Sequence, residues 1–430
     1  MAIKAGVGVS DNISGIIAIE EAIKKSLQKI GTKTPKLLIL LTSINYENEL
    51  KPILKKAKEL LPKTKIVGGT GAAILSSEGV YVRGIGVMSL DGDLEIGIGL
   101  GENSRTTPEI AGETSMRNAL KDLGKSKYKN KIGILFVSGM KFPNIPGMNP
   151  MMHMKITKSI FKTLCNFMAK LGTGPARYEE GLEGANKEAK GEIQLFGAGA
   201  FDDFKGRRNY QFIEDKFYTD SIITLLIASN NETQLDFKHG LKPTGRKMEI
   251  TSAKGSLAFE INGKPAWEEF KRIYNIPKEL ELQWKNNPVA MTTGEVPAEK
   301  DKEGNYWILA PLCVVGDAIL FAKNVEEKTL YLCKGSGKEI LLAADEVSKK
   351  AAKIKNKNFA LVFSPVPRVM TMMENIDVER EYIKNNLKDT PWLGFYCCAS
   401  EVAMRKKSKK KNDFLKCLNE TIAIATSKEK

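Results

Sequence analysis

Short apolar runs alternate with amphipathic segments along much of the chain. At Gly15–Ile30, Glu47–Leu61, Thr106–Leu123 and Lys338–Ile354 apolar residues recur every three or four positions, which places them on one face of a helix. The runs between these segments are short and apolar, as buried strands are. The pattern predicts an α/β (mixed α+β) fold in which helices cover mixed sheets.

One arrangement of these elements occurs twice. A strand-like run and a helix are followed by a second run that breaks into closely spaced glycines and then by further strands. The two copies contain Leu37–Ser43 with Lys65–Ala72, and Ile132–Ser138 with Gln194–Asp203. A fainter third copy comprises Phe359–Ser364, Trp392–Ala399 and Thr421–Thr426. Recurrence of this kind predicts a repeated strand–helix–strand–hairpin unit.

The turn Asp91-Gly92 stands between two strand-like runs and predicts a tight two-residue hairpin. A boundary near Phe237–Gly245 divides the prediction into two domains, residues 1–238 and 239–430. Beyond it, Lys247–Ser252 and Ser256–Ile261 predict another hairpin.

The second copy carries an insertion at about residues 140–190. It begins with a Pro/Met-rich loop, and a helix is predicted near Lys155–Leu171. Flexible methionine side chains suit a lid or a docking surface as well as plain packing, and the sequence leaves these alternatives open.

The net charge of +15 comes mostly from lysines spread along solvated helix faces. Arg405–Lys411 is a true basic cluster. It has no interleaved aromatic residues, which favours a solvated loop over a phosphate-binding or lipid-binding surface. We therefore expect no nucleic-acid partner.

The lengths of the apolar runs indicate whether the chain crosses a membrane. None reaches the roughly 18 residues that cross a bilayer, and Met1–Ser10 reads as a strand rather than a signal peptide. We expect a cytoplasmic protein without a membrane span.

Residue types that carry catalysis or bind metals are scarce. The six cysteines form no C-x-x-C pair, and His153 and His239 lack metal-binding spacing. The segment Gly335–Glu339 follows a strand as a P-loop would, but it lacks the first glycine and the Ser/Thr that holds magnesium. We expect no catalytic residues, no metal and no cofactor.

The two glycine runs also lack the third glycine of a dinucleotide-binding loop. Asp202-Asp203 is a carboxylate pair beside such a run. It can bind an ammonium group or a cation, or it can cap a turn.

The order of these segments resembles the FIST sensory domain, an intracellular module of prokaryotic signal transduction. The N-terminal likeness runs from Ser10 to Ser229 and rests on Ile66–Ala72, Phe196–Asp203 and the strand after Tyr218-Thr219-Asp220. The C-terminal likeness rests on Gly240–Gly245, Glu249–Thr251, Ile261–Ala266, Leu361–Ser364, Gly394–Tyr396 with Glu401, and Asn419–Thr421.

This resemblance implies binding of small ligands, amino acids or related compounds, without catalysis. Some relatives bind haem, so a haem-binding sensor is an alternative, although the resemblance does not place a haem ligand on His153 or His239. The chain departs from the family where Pro365–Arg368 replaces a Cys-Ala-Gly-Arg-like run and where Ser400 replaces a glycine before Glu401.

We therefore expect a sensor whose ligand lies where the two glycine runs converge. Backbone N–H groups would bind a carboxylate, Asp202 or Asp203 an ammonium group, and Arg368 a second anionic group. The expected ligand-binding residues are Gly68, Gly69, Thr70, Gly71, Gly197, Gly199, Asp202, Asp203, Arg368 and Glu401.

The signal would pass to a separate protein, because the chain has no kinase, cyclase or helix-turn-helix segment. Two alternatives stay open. One is an interaction scaffold with structural glycines, and the other is an unrecognised enzyme, for which a base and a nucleophile are missing.

Overall fold

The computed structural model of the chain describes residues 2–141, 177–203, 205–286, 294–398, 400–403 and 416–429, and single positions between 157 and 174. Of these, the side chains of 286, 400–403 and 416–417 are not described. The predicted helix near Lys155–Leu171, most of the Met-rich loop, His153 and the basic run Arg405–Lys411 lie outside the described residues.

The predicted repeat unit is complete at the start of the chain. Unit one contains β1 (Lys4–Ser10), α1 (Gly15–Ile30), β2 (Leu37–Ser43), α2 (Leu50–Leu60), β3 (Lys65–Gly71), β4 (Ile74–Ser76), β5 (Val80–Tyr81) and β6 (Ile85–Asp91). Helix α1 has the predicted bounds. It ends because Gly31 adopts a left-handed conformation (φ 73°), which glycine allows at little cost.

Unit two repeats this order of elements. It contains β7 (Leu94–Glu102), α3 (Pro108–Leu123), β8 (Asn130–Val137), α4 (Tyr178–Glu188), β9 (Gln194–Gly199), β10 (Gln211–Ile213), β11 (Lys216–Tyr218) and β12 (Ser221–Ser229). The predicted insertion lies between β8 and α4, but its predicted end near residue 190 is wrong, because α4 is the second helix of the unit itself.

Unit three has the same plan, but a small α/β domain is inserted between its first strand and first helix. The unit contains β13 (Glu232–Lys238), α7 (Gly337–Ala352), β22 (Lys357–Pro365), α8 (Val366–Met372), α9 (Ile376–Leu387), β23 (Trp392–Cys397), β24 (Ser400–Ala403), β25 (Lys416–Asn419) and β26 (Ile422–Lys428). The inserted domain contains β14 (Lys242–Lys254), β15 (Leu257–Ile261), β16 (Lys264–Pro265), α5 (Ala266–Tyr274), α6 (Glu281–Asn286), β17 (Glu295–Lys300), β18 (Tyr306–Ile308), β19 (Pro311–Val315), β20 (Ala318–Phe321) and β21 (Thr329–Lys334). The predicted hairpin of β14 and β15 is present.

The three units are joined in a cycle by their hairpins. The described strands of the three units form sheets in the orders β1-β6-β2-β3-β10-β11, β7-β12-β8-β9-β24-β25 and β13-β26-β22-β23-β4-β5, and those of the inserted domain form a fourth sheet. Each of the first three sheets thus takes four strands from one unit and its last two from another. The pairs β2/β3, β8/β9 and β22/β23 are parallel, as expected for strands joined through a helix. The mixed α/β prediction is confirmed.

The inner faces of the three sheets share one apolar core. Leu41, Phe136 and Phe363 belong to it from the second strand of each unit. Residues one position along, such as Leu40 and Leu135, pack outward in the helix-facing cores. This alternation follows from the two-residue period of a strand and explains why these strands read as continuous apolar runs.

The hairpin predicted at Asp91-Gly92 is wrong. Gly92 does turn the chain, with φ 106°, but β6 pairs with β1 and β2 whereas β7 pairs with β12. The turn therefore passes the chain from one sheet to the next. In the described part of the chain, no helix combines the length and apolar character needed to cross a membrane.

Candidate functional site

The carboxyl ends of β3, β9 and β23 meet in a cycle of three backbone hydrogen bonds, here called the strand-end ring. The bonds run from Phe201 N to Thr70 O (2.9 Å), from Cys398 N to Gly199 O (3.0 Å) and from Ala72 N to Tyr396 O (2.8 Å). Within each unit the donor follows the acceptor by two residues. The structure thus brings the two predicted glycine segments together and adds β23 as a third participant.

Three equivalent glycines let the parallel strands approach closely just before the ring. An added Cβ would lie 1.7 Å from Leu40 O at Gly68, 2.0 Å from Leu135 O at Gly197 and 2.4 Å from Val362 O at Gly394. In each case the carbonyl belongs to the residue paired with the glycine. These distances give the glycines a packing role, while their contact with a ligand stays a prediction.

The rest of the first glycine segment is enclosed by neighbouring strands. Thr70 Oγ1 accepts a hydrogen bond from Tyr210 N (3.1 Å). An added Cβ would lie 3.0 Å from Tyr210 O at Gly69 and 2.5 Å from the Phe395 ring at Gly71. Residues 66–76 are buried throughout.

The two aspartates of the second segment have different surroundings. Asp202 is fully buried, and its carboxylate accepts four backbone N–H groups, from Lys205, Gly206, Arg207 and Arg208. Burial raises the pKa of Asp202, and the backbone hydrogen bonds oppose that rise. This is the turn-organising arrangement that the sequence left open. Asp203 is partly exposed and pairs with Lys205, and its Oδ1 has no hydrogen-bond partner within the described residues.

Arg368 is fully buried in unit three, away from solvent. Its guanidinium pairs with Glu379 and donates to Ser364 Oγ, Ile340 O and His239 O. Glu379 also accepts from Tyr396 (3.0 Å). The arginine therefore ties β22, α7 and α9 to the end of β13. In β24, the backbone of Glu401 pairs with Ala198 and Leu418, and its side chain lies outside the described part.

Both ring nitrogens of His239 are engaged. Nδ1 accepts from Leu241 N (2.9 Å) and Nε2 lies 3.2 Å from Tyr306 O. Burial lowers the pKa of His239 to about 4, against the bond to Tyr306 and together with the charges of Arg368 and Lys238. A haem iron would have to displace one of these two contacts. No cluster of metal-binding side chains occurs among the residues that the structure describes.

Comparison of the sequence with profiles of known protein families identifies the family of this chain. The FIST N domain profile matches residues 36–264, and the FIST C domain profile matches residues 266–400. The chain belongs to the FIST family. FIST domains are associated with sensors in signal transduction. The two profiles divide the chain at α5, inside the inserted domain of unit three, whereas the predicted boundary at residue 238 follows β13.

This FIST protein is similar to one distant sequence relative and to one solved structure. It is 20% identical over 360 residues to an uncharacterized protein, MJ1623, of Methanocaldococcus jannaschii, a match that covers 80% of this chain and 60% of that one. This FIST protein thus spans less than two thirds of the relative's length. Among solved structures it is similar to a cyanuric acid hydrolase from A. caulinodans, with a TM-score of 0.37, 6% identity and coverage of 100% and 99% of the two chains.

The structure also places a buried arginine, Arg105, near the strand-end ring of this FIST protein, which the sequence did not single out. Its Nη1 lies 3.2 Å from Asp220 Oδ1 and its Nη2 donates to Gly139 O (2.6 Å). Tyr178 lies beside it, against Gly199. A lone arginine in a loop carries no spacing signal, so sequence reasoning had no means of finding it.

A second site lies at the opposite, amino ends of the strands. An open groove of about 1150 Å³ separates β13, an edge strand, from the starts of β8 and β9, and Trp307 of the inserted domain also lines it. Its charged residues are mixed in sign: Lys129, Lys131, Lys350 and Lys428 with Glu192, Glu232, Asp236, Asp301 and Glu303.

Proposed function

We propose that this FIST protein is a cytoplasmic sensor that binds a small metabolite, an amino acid or a related compound, at the strand-end ring, and that it signals through a separate protein without catalysing a reaction. The observation that carries the proposal is the ring itself. Three hydrogen bonds join all three units at one place, so a ligand bound there contacts residues from every unit.

Such a position suits a sensor for a thermodynamic reason. A ligand shifts a conformational equilibrium only by its difference in affinity between the two states. A site built by three units changes shape whenever one unit moves, so binding there can favour one arrangement of the units over another. A partner protein that contacts the outer surface would then detect the change.

The side chains nearest the second glycine segment suggest how an amino acid would be held. Because its Oδ1 has no partner in the described residues and its side chain is partly exposed, Asp203 is the better acceptor for an ammonium group. Asp202 and Arg368 are already saturated by protein groups, so their part in binding would be to position neighbouring segments.

A thermal-shift and calorimetry panel of the twenty amino acids and common organic acids tests the function. A ligand at one hundred times its dissociation constant should add about 2.7 kcal/mol to the free energy of unfolding. Asp203→Asn should weaken binding of an amino acid, and Glu59→Asn, which changes an exposed carboxylate on α2, is the matched control. If no compound binds the full chain, the sensor proposal is wrong.

The groove along β13 favours one second candidate, an interaction scaffold. Among the described strands β13 is the outermost strand of its sheet, and an edge strand can pair with an extended segment of another protein by strand addition. Under this alternative, a captured partner would slow hydrogen exchange in β13 and leave the strand-end ring unaffected. Slower exchange at the amides of Ala72, Phe201 and Cys398 with a small ligand would instead support the sensor.

A further inference from the structure

Among the described strands, the first strand of each unit is an edge strand, and side chains cover the outer backbone groups of β7 and β1. At β7 the covering bonds run from Lys36 Nζ to Leu94 O (3.1 Å), from Lys65 Nζ to Ile96 O (2.9 Å), from Ile98 N to Asp122 Oδ2 (2.7 Å) and from Asn118 Nδ2 to Leu100 O (2.9 Å). At β1 they run from Asn358 Nδ2 to Ile3 O (2.9 Å) and from Lys25 Nζ to Val9 O (2.8 Å). Covering an edge in this way keeps another strand from pairing with it.

The edge of β13 is different. Asn130 Nδ2 donates to the carbonyl of the residue that precedes the strand (3.1 Å). Beyond that point, the sheet registers make Thr233 the equivalent of Ile96 when the strands are counted from the close-packed glycines. Leu235 is likewise the equivalent of Ile98. The outward backbone groups of Thr233 and Leu235 have no hydrogen-bond partner among the described residues, and both residues line the groove of about 1150 Å³.

Two replacements in the sequence explain why this edge stays open. Lys65 is the first residue of β3, and the first residue of β9 is Gln194, whose shorter side chain lines the groove without a bond to β13 in the described structure. Asn118 is the eleventh residue of α3, and the eleventh residue of α7 is Val347, which is buried and has no polar group to offer. The open edge therefore follows from the residues of this junction.

The walls of the groove determine which kind of strand fits it. Leu235 and Trp307 belong to the inner apolar core and line one side. Asp236, the next residue of β13, lies on the opposite face together with Lys350 of α7. Because the side chains of a strand alternate between its two faces, a strand added here would place alternate residues against apolar and against polar surroundings.

The charges of the groove favour acidic residues at the polar positions. Lys131 is half-buried and has no ion-pair partner among the described residues. Its equivalent, Lys36, reaches the edge of β7, so Lys131 is placed beside the edge of β13. Glu192 and Glu303, two acids of the groove, are exposed, and solvent screens their charges more strongly. The chain as a whole carries a charge of +15, which attracts acidic partners.

The other acids of the groove already have partners within the described structure: Glu232 with Lys428 (3.5 Å), Asp236 with Gln234 (2.8 Å) and Asp301 with Asn305 (2.9 Å). They therefore oppose an acidic segment less than their number suggests.

We propose that the groove binds an extended acidic segment of the partner protein, which adds to β13 as a further strand. Its backbone pairs with Thr233 and Leu235, its apolar residues pack against Trp307, and one of its acidic residues pairs with Lys131. The inference goes beyond the sensor proposal and rests on it only in taking the signal to pass to a separate protein. The groove and the strand-end ring lie at opposite ends of the strands, so the two can be tested separately.

Fluorescence anisotropy with the full chain tests the proposal. The probes are labelled peptides with blocked ends, matched in length to the seven residues of β13, in which valine alternates with aspartate, with serine or with lysine. A further peptide has the composition of the first but contiguous valines. We expect the alternating aspartate peptide to bind about tenfold more tightly than the lysine peptide or the contiguous one. It should slow hydrogen exchange at the amides of Thr233 and Leu235.

Substitutions separate backbone pairing from charge. Thr233→Pro removes an outward N–H, and an edge strand tolerates proline at such a position, so binding should weaken about tenfold while the melting temperature changes little. Thr233→Val keeps the N–H and should bind as the wild type does. Lys131→Glu should reverse the preference, so that the lysine peptide binds more tightly than the aspartate peptide. Lys55→Glu, at an exposed position on α2, is its matched control, and this pair decides the matter if Thr233→Pro does not fold.

The outcomes separate this inference from the sensor function. If no peptide binds, if Thr233→Pro binds as tightly as Thr233→Val, or if aspartate and lysine peptides bind equally, the inference is overturned, while the metabolite panel still decides the sensor function. Sedimentation of the chain alone checks for a different occupant. A dimer that Thr233→Pro converts to a monomer would show that a second copy covers β13, and the partner segment would have to be abandoned.

Discussion

Glu420 is a carboxyl in a place that disfavours its charge. It precedes β26, is 2% exposed, and its Oε1 has no partner in the part of the chain that is described. Burial raises the pKa of Glu420 to about 8, and nearby Arg368 opposes the rise only partly. Asp220 occupies the equivalent position in unit two, where it is satisfied by Ser104 and Arg105.

The first prediction concerns the pH dependence of stability caused by Glu420. Its folded pKa lies above the ordinary value of 4.5, so the folded state holds the proton more tightly and stability falls as pH rises from about 4.5 to about 8. The loss between pH 5 and pH 8 should be on the order of 3 kcal/mol. Urea unfolding should show that Glu420→Gln removes this loss, whereas Glu59→Gln, on the surface, keeps it. An equal loss in wild type and Glu420→Gln would contradict the assignment.

The second prediction is that His239 makes stability depend on pH in the opposite direction from Glu420. Its folded pKa of about 4 lies below the ordinary 6.5, so the unfolded state binds the proton first and stability falls as pH drops from 6.5 towards 4. Wild-type protein should lose about 2 kcal/mol between pH 7 and pH 5 from this group. His239→Gln is expected to be less stable at pH 7, because it disturbs the contacts with Leu241 and Tyr306, but to show a smaller loss on acidification. A loss of unchanged size would show that His239 is not held neutral.

Among the elements, the glycine-bearing strands were the most informative part of the sequence, and for a different reason than first inferred. Closely spaced glycines at a strand end suggested room for a ligand, yet Gly68 and Gly197 are required by the neighbouring strand. The prediction of a hairpin at Asp91-Gly92 was wrong for a related reason. A turn signal is local, whereas the sheet that the next strand joins depends on contacts between distant segments.

Alanine substitutions at these glycines should destabilise the protein more, the closer the added Cβ lies to the neighbouring carbonyl oxygen. Gly68→Ala and Gly197→Ala place Cβ at 1.7 and 2.0 Å from a carbonyl oxygen, so the parallel strands must separate, which should cost more than about 3 kcal/mol. Gly394→Ala, at 2.4 Å, should cost somewhat less. Gly69→Ala, at 3.0 Å on the same strand as Gly68, is the matched control and should cost least. Chemical denaturation of the four variants checks the order, and a Gly69 variant as unstable as the Gly68 variant would refute it.

For the whole molecule, the third repeat is the feature that the sequence showed only faintly. The inserted domain separates β13 from α7, so the elements of unit three are not spaced as in the other units. The exchange of hairpins between units was not foreseeable either, because β10, β24 and β4 pair with strands far away in the sequence. Periodicity revealed the elements and the first two units, while the closed cycle depends on long-range pairing.

The cyclic arrangement predicts that the chain tolerates circular permutation, in which the present termini are linked and new termini are made at another junction between units. Ile3 O accepts from Asn358, and Glu429 N donates to Asn356 O, so both ends of the described chain adjoin the start of β22. A short Gly/Ser linker from Glu429 to Ala2 would then correspond to the natural connections between β6 and β7 and between β12 and β13. With new termini between Gly92 and Asp93, the permuted protein should fold and lose less than about 2 kcal/mol, because closing a short loop costs little.

Circular dichroism and thermal unfolding would measure this permutant against one opened between Leu135 and Phe136. That second site lies inside β8, which pairs with both β9 and β12, so opening it removes hydrogen bonds on two sides and should prevent folding. If three units close a cycle, folding should depend little on the order in which the units are connected along the chain. It should depend strongly on keeping each central strand intact. Equal failure of both permutants would mean that the connection from β6 to β7 carries structural information beyond its length, and the equivalence of the three junctions would have to be abandoned.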